Sequence, residues 1–418
     1  MNCIEVSKEY DVVVVGAGVG GITAAVAAAR EGAKVLLVEE DLVPGGALTD
    51  YYVAMLCGKP TQGILQEILD ICIKKYRLQN GLSWFPPAAW NAAIEEIIEA
   101  EPNLEVMYGA KLVDVAAANG SIRSITVNCE SLMRVIRGRY FVEATGTGLF
   151  GELAGCEIMY GRDSRSDFGE EYAPIERDEK IQEVTWMYIS QKLPGYSHFD
   201  MSKLEHAKLG VLQQNGPWFH AAPEQAVAAG DGIYLHWGCR VRCDDTRDSV
   251  AVADAQRRAL KAMETDHATL REAGYIIYLA PKLGLREIRR IKGQYVMRCG
   301  DLIENIFPDD TVAVGKYALD LWGEDNVASH KPWNGYGIPY RSLVPLRVDN
   351  LLLSGRVISG SHIAMSSYRV MPIIGNIGQA SGVAAALCAA AGVAPAELEA
   401  RKVREVLIGE RQAQKLVP

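Results

Sequence analysis

The run Gly16-Ala17-Gly18-Val19-Gly20-Gly21 places glycines where a backbone must turn sharply and close on a ligand. Its G-x-G-x-x-G spacing is a weak signal alone, and the flanking residues make it specific. Asp11 to Val15 is a continuous apolar, β-branched run, the pattern of a parallel strand buried on both faces. An Ala-rich helix is expected from Gly21 to Glu31, stopped by Gly32. Lys34 to Val38 reads as a second buried strand, ending at Glu39 and Glu40. In this setting Gly16 makes the tight turn, Gly18 lets the backbone meet a pyrophosphate, and Gly21 lets the helix pack closely on the strand. The pyrophosphate would rest on unpaired N–H groups at the positive end of the helix dipole. Glu39 would accept hydrogen bonds from adenosine ribose hydroxyls, and an acid there disfavours the 2′-phosphate of NADP.

FAD and NAD share this fingerprint, so a second glycine cluster bears on the choice. Ala144-Thr145-Gly146-Thr147-Gly148-Leu149-Phe150-Gly151 repeats the spacing after a strand. Taken literally it would be an NAD site. No buried strand ending in an acid follows it; the chain runs Arg162-Asp163-Ser164-Arg165-Ser166-Asp167 instead. The better reading is a strand returning to the first domain, with Thr145 and Gly146 turning toward its nucleotide.

The rest of the chain must position these turns. Amphipathic helices are expected near Ile64–Arg77 and Pro87–Ala100, followed by a β-meander from Leu104 to Val142 with a hairpin signal at Asn119-Gly120. From about Gly161 to His330 the chain carries more aromatics, histidines and charges, with a long helix around Val250–Ala273. The earlier style resumes with a buried strand at Asn350–Ser354 and a last helix from about Gly375 to Ala391. The expected fold is α/β: a discontinuous Rossmann-like domain with a β-meander, and an inserted α+β substrate or cap domain. Its pieces are 1–160, the insert 161–334, and 335–418.

Composition excludes some classes. The 418 residues carry a formal charge of −9, with no basic stripe for nucleic acid. Gly382–Ala396 is too short and weakly apolar to span a bilayer, and the first residues show no secretory pattern. Nine scattered cysteines read as reduced thiols in a cytoplasmic protein. Cys239 and Cys243 could be a metal or redox pair, but two core-facing thiols is the plainer reading, and no metal site is expected. A homo-oligomer is compatible with the sequence.

With these residues placed, the chain resembles the FAD-dependent oxidoreductases grouped around the fumarate-reductase and succinate-dehydrogenase flavoproteins, and more closely a bacterial branch of single-chain members. Pro44-Gly45-Gly46 resembles that family's second glycine turn, which reaches toward the flavin. Lys282 to Arg290, Gly337 to Pro345, and Asn350 to Arg356 continuing through Ser361-His362 and Arg369-Val370-Met371 resemble the branch more specifically. The resemblance implies FAD as cofactor, with Gly355 and Arg356 beside it. It implies that the last helix begins at the flavin, presenting N–H groups around Gly378, Gln379 and Ser381 to the N1 edge or ribityl chain. A helix N-terminus there would stabilise the negative charge of reduced flavin. The sequence departs from the branch after Tyr317-Ala318-Leu319-Asp320, where Leu321-Trp322 stands in place of a hydrophobic residue and His. Only Cys57 lies near Gly46 as a candidate for a covalent flavin link, so non-covalent FAD is expected.

Flavin chemistry needs a C–H bond held at the ring and a group that moves a proton. His362 is the first candidate for the proton, in the segment that the resemblance places near the isoalloxazine. Arg286 is a candidate anchor for an anionic substrate, against the alternative that Arg286, Arg289, Arg290 and Glu287 form a structural ion-pair network. Tyr340, Arg341 and Arg369 are candidates for the same cavity. The expected function is hydride transfer between a small polar molecule, at a CH–OH, CH–NH or CH–CH bond, and FAD. The alternatives are a flavin enzyme without net redox, catalysing elimination or isomerisation, and a non-catalytic electron-transfer subunit, for which no iron–sulfur cysteine spacing is seen.

Overall fold

The computed structural model describes residues 2–76, 85–206, 209–210, 233–323 and 334–416. Its largest sheet has seven strands. The β1 strand (Asn2–Val15) pairs in parallel with β2 (Val35–Val38) on one side and β6 (Leu132–Glu143) on the other. Outside them, β3 (Leu104–Met107) joins β2 and the strand Leu351–Leu353 joins the end of β6, both in parallel. The apolar run Val12–Val15 is buried, and helices Val19–Arg30 and Met371–Ala391 pack against β1.

The meander is real but shorter than the sequence suggests. Its antiparallel strands are β4 (Lys111–Ala118), β5 (Ser121–Cys129) and β6, while β3 belongs to the parallel sheet. The β4–β5 turn places Asn119 at φ 52° and Gly120 at φ 78°, the left-handed conformations a tight hairpin needs.

The α1 helix (Val19–Arg30) opens directly from Gly18. It packs on the long helix Met371–Ala391, which begins four residues before the expected Gly375. This contact needs small residues. A Cβ on Gly378 would lie 2.1 Å from the Gly20 carbonyl oxygen, and one on Gly382 would lie 2.0 Å from that of Ala24. The Met371–Ala391 helix is long and apolar enough to cross a membrane, but most of it is buried inside the chain, as a core helix would be.

The inserted segment contributes an antiparallel sheet of four strands: Leu209–Gly210, Ile233–His236, Tyr188–Lys192 and Tyr275–Leu279. The long helix expected around 250–273 is two helices, Ser249–Ala262 and Glu264–Glu272, separated at Met263. Strand Thr311–Gly315 pairs with Tyr336–Pro339, so a division at residue 334 cuts through a two-stranded sheet.

Candidate functional site

The carboxyl ends of β1, β2, β6 and Leu351–Leu353 converge on one cavity of about 1170 Å³, the crevice position where open α/β sheets bind ligands. From these strand ends come Gly16 and Gly18, Glu39, Thr145 and Gly146, and Gly355 and Arg356, all in the cavity wall.

Each turn has a local cause. Gly16 sits at φ +105°, and a Cβ on it would lie 2.3 Å from the Ala144 carbonyl oxygen. A Cβ on Gly21 would lie 1.7 Å from the Gly16 oxygen, so Gly21 fixes helix against turn and stays out of the cavity wall. Gly18 differs: a Cβ there meets nothing within 4 Å, so its bare backbone faces open space at the α1 N-terminus. Gly45 (φ +118°) donates its N–H to Ala17 O at 2.8 Å and braces this turn from behind, while Gly46 reaches the wall.

Glu39 lies at the end of β2 and accepts hydrogen bonds from Ala17 N and, at 3.0 Å, Asp41 N. Burial pushes its carboxyl up to about 7. Glu143 holds the corresponding place on β6. It is fully buried and accepts from Thr145 N (2.7 Å), Thr145 Oγ1 (2.6 Å) and Gly151 N (2.9 Å), which shapes the Ala-Thr-Gly turn. Sequence reasoning missed Glu143, although its place as an acid ending a buried strand mirrors Glu39. The five-residue helix Leu149–Leu153 then leads to Ile158–Met159, a strand outside the parallel sheet, so the second glycine cluster opens no second βαβ unit. Arg356 donates from Nε to Gly146 O at 2.7 Å and from Nη1 to Leu285 O, tying the insert to the nucleotide-binding body.

At the far end the wall comes largely from the insert and the segment after it. Thr185, Trp237, Arg286, Tyr317, Asp320 and Trp322 lie there, with Arg369 beside Val370 and Met371 at the start of the last helix. Arg286 donates to Glu183 O (2.8 Å) and Thr185 Oγ1 (3.1 Å), and its guanidinium lies 4.0 Å from the centre of the Trp322 ring. Burial, and then the neighbouring Arg369 charge, lower its pKa to about 9. Cys57 also lines the cavity, and burial pushes its thiol up to about 12.

Several other expected site residues lie elsewhere. His362 is buried outside the cavity wall, with Nδ1 at 2.9 Å from Glu287 Oε1 and its backbone N–H on Asp163 Oδ2 at 2.8 Å. Arg290 joins the same network, 2.6 Å from Asp163 and 3.5 Å from Glu287. The arginine cluster therefore divides: Arg286 and Arg289 face the cavity, and Arg290 is structural. Tyr340 is buried and donates to Pro395 O at 2.9 Å, and neighbouring Arg341 pairs with Asp310, both away from the cavity. Gly378 packs on α1, Gln379 bonds Gln412 and Ile64 N, and Ser381 donates to Leu353 O at 2.7 Å, so none reaches the cavity. The helix does approach it, through the earlier residues Met371 and Ile374.

Cys239 and Cys243 are buried free thiols in the core of the insert, and among the described residues no group could hold a metal. His236 and His267 are buried there too, whereas His220 lies outside the described residues.

A parallel sheet, a glycine turn opening a helix, an acid at the next strand end and a cavity roofed by an insert define a dinucleotide-binding fold. The open backbone at Gly18, the helix N-terminus behind it and the acceptor at Glu39 fit the pyrophosphate and adenosine ribose of FAD. The chain belongs to the FAD dependent oxidoreductase family, whose model matches residues 11–407. Among curated proteins it is 52% identical over 46 residues to the chloroplastic prolycopene isomerase of Daucus carota, covering 11% of this chain and 7% of that protein. It is 29% identical over 177 residues to the tRNA uridine 5-carboxymethylaminomethyl modification enzyme MnmG of Pediococcus pentosaceus, covering 37% and 26%. These matches span well under half of the curated relatives' lengths. Among solved structures, a geranylgeranyl bacteriochlorophyll reductase-like protein from Thermoplasma acidophilum aligns over 97% of this chain and 84% of its own, at 12% identity and TM-score 0.44. Apo Sdh1 of Mycobacterium smegmatis aligns over 94% and 69%, at 14% identity and TM-score 0.42.

Proposed function

We propose that this enzyme transfers a hydride between a small polar organic molecule and non-covalently held FAD. The reacting bond would be CH–OH, CH–NH or CH–CH. One observation carries the reading: a single cavity runs from Glu39, past Gly18, Thr145 and Gly355, to a polar end walled by Arg286 and Arg369. Bound FAD supplies a two-electron acceptor or donor there. The chain's own groups hold it by backbone N–H at Gly18 and by Glu39, and the N-terminus of Met371–Ala391 brings a positive dipole end to the cavity. The insert roofs the polar end and excludes water. Arg286 and Arg369 orient the substrate. Cys57 supports a non-covalent cofactor, because a thiol held up to about 12 is a poor nucleophile near neutral pH.

Anaerobic mixing of the FAD-loaded enzyme with small alcohols, amines and saturated acids, and of the reduced enzyme with their unsaturated counterparts, tests this reading. Loss of the visible flavin band with one compound, matched by its oxidised product, is expected. Turnover of a substrate with no redox change in the product would replace hydride transfer by elimination or isomerisation.

A further inference from the structure

Asp320 is the hub of the polar end. Its Oδ1 accepts from Trp322 Nε1 at 2.7 Å. Its Oδ2 accepts from Arg369 Nη2 at 3.1 Å and from the Tyr317 hydroxyl at 3.3 Å. Its carbonyl oxygen accepts from the same Arg369 nitrogen at 2.9 Å, and its own N–H donates to Ser366 Oγ at 3.2 Å. Trp322, held by this carboxylate, is in turn the surface on which the Arg286 guanidinium lies, 4.0 Å from the ring centre. One side chain thus sets both arginines, one by direct bonds and one through an indole.

The charges at this end do not balance. Arg286 is buried, and its hydrogen bonds go to a carbonyl and a hydroxyl; no carboxylate lies within 4.0 Å of it among the described residues. Arg369 is matched by Asp320. Two guanidinium groups against one carboxylate leave one positive charge in a water-poor wall, and such a charge seeks an anion. Arg286 uses only part of its fork of five N–H donors on protein acceptors, which leaves donors in a geometry suited to a planar carboxylate. Trp237, Trp322 and Leu319 add apolar surface beside it for a carbon skeleton.

We propose that this end of the cavity is a binding site for a small molecule bearing a single carboxylate, clamped between Arg286 and Arg369, and that Asp320 and Trp322 are the positioning residues that set the clamp. The proposal deepens the hydride-transfer reading by naming the charge of its substrate, and it rests on that reading only for the fate of the bound molecule. Asp320 acts through its neighbours. Its negative charge by itself repels an anion, so its two effects have opposite signs and an experiment can separate them.

The test is titration of the FAD-loaded protein with acetate, and separately with inorganic phosphate, followed by the flavin visible spectrum and tryptophan fluorescence. Acetate should bind saturably and at least as tightly as phosphate. Arg286→Met and Arg369→Met should each weaken acetate binding about tenfold or more, the order of one lost charge-assisted hydrogen bond. Asp320→Asn makes the site more positive, yet it should also weaken acetate binding several-fold, because Arg369 and Trp322 lose their common acceptor. Asp320→Asn binding acetate as tightly as the wild type, or tighter, overturns the positioning role. If Asp320→Asn fails to retain FAD, Trp322→Phe decides instead: it keeps a ring under Arg286 but loses the Nε1 bond, and unchanged acetate binding overturns the role. Phosphate outcompeting acetate overturns the single-carboxylate assignment, as does the absence of any saturable acetate effect. Acetate binding without flavin reduction by any carboxylate would leave the clamp standing and remove hydride transfer. Flavin reduction by a neutral molecule, with no acetate binding, would do the reverse.

Discussion

The His362 imidazole meets Glu287 through Nδ1, 2.9 Å from one carboxylate oxygen and 2.8 Å from the other, and both side chains are sealed from solvent. The pair joins the segment after Ser361 to the insert, and Asp163 and Arg290 extend the network. Removing one partner of a buried pair leaves the other's charge uncompensated. His362→Ala is therefore expected to destabilise the fold by on the order of 3 kcal/mol, measured by urea unfolding of the FAD-free protein. Unchanged stability with lost flavin reduction would return His362 to the chemistry.

Gly18 and Gly21 are three residues apart and should respond oppositely to an added methyl. Gly18→Ala meets nothing within 4 Å, so the fold should keep its stability while FAD binding weakens by roughly 1–3 kcal/mol. Gly21→Ala drives a Cβ to 1.7 Å from the Gly16 oxygen, so the protein itself should lose stability by about that amount or more. Thermal unfolding of the FAD-free variants and FAD titration of each separate the two effects. A stable Gly21→Ala that binds FAD normally would refute this packing.

Glu39 links cofactor binding to pH. Burial raises its carboxyl from 4.5 to about 7 in the cofactor-free protein. Between those values the folded state keeps a proton that the unfolded chain has lost. The group's contribution to stability therefore falls as pH rises through this window, by on the order of 3 kcal/mol in total. Ribose hydroxyls donating to the carboxylate favour its charged form, so FAD binding should release a proton and tighten between about pH 5 and about pH 8. Glu39→Gln should flatten both slopes. Isothermal titration of the FAD-free protein in buffers of different ionisation heat measures the proton directly, and no proton release would show that Glu39 is not the ribose acceptor.

The second glycine cluster leads into the short helix Leu149–Leu153 and not into another parallel strand. NADH at micromolar concentration should accordingly reduce the bound flavin slowly or not at all. Rapid reduction in a stopped-flow trace would make Thr145–Gly151 a nicotinamide site after all.

What could be read from the sequence followed from local patterns. The β1–α1–β2 unit is legible because buried parallel strands are continuous apolar runs and because the turn between them needs glycine at fixed places. Arg286 and Arg369 could be picked out as cavity candidates by residue type. His362, Tyr340, Gln379 and Ser381 could not be rejected that way, because their partners Glu287, Pro395, Gln412 and Leu353 are distant in sequence. Glycines at 378 and 382 look like ligand turns in a linear chain and prove to be contact points between two helices. Asp320 was hidden for the same reason: three of its side-chain partners are chemically ordinary until the fold brings Arg369 to the 317–322 segment.

A crystal structure of the FAD-loaded enzyme soaked with acetate would decide whether the redox end of the cavity lies between Arg286 and Arg369. The expected result is adenosine at Glu39, the isoalloxazine past Gly355 toward the start of the Met371–Ala391 helix, and the carboxylate on Arg286 and Arg369 beside the ring. An isoalloxazine lying away from both arginines, or a nucleotide bound in the reverse direction with adenine against Arg286, would contradict it.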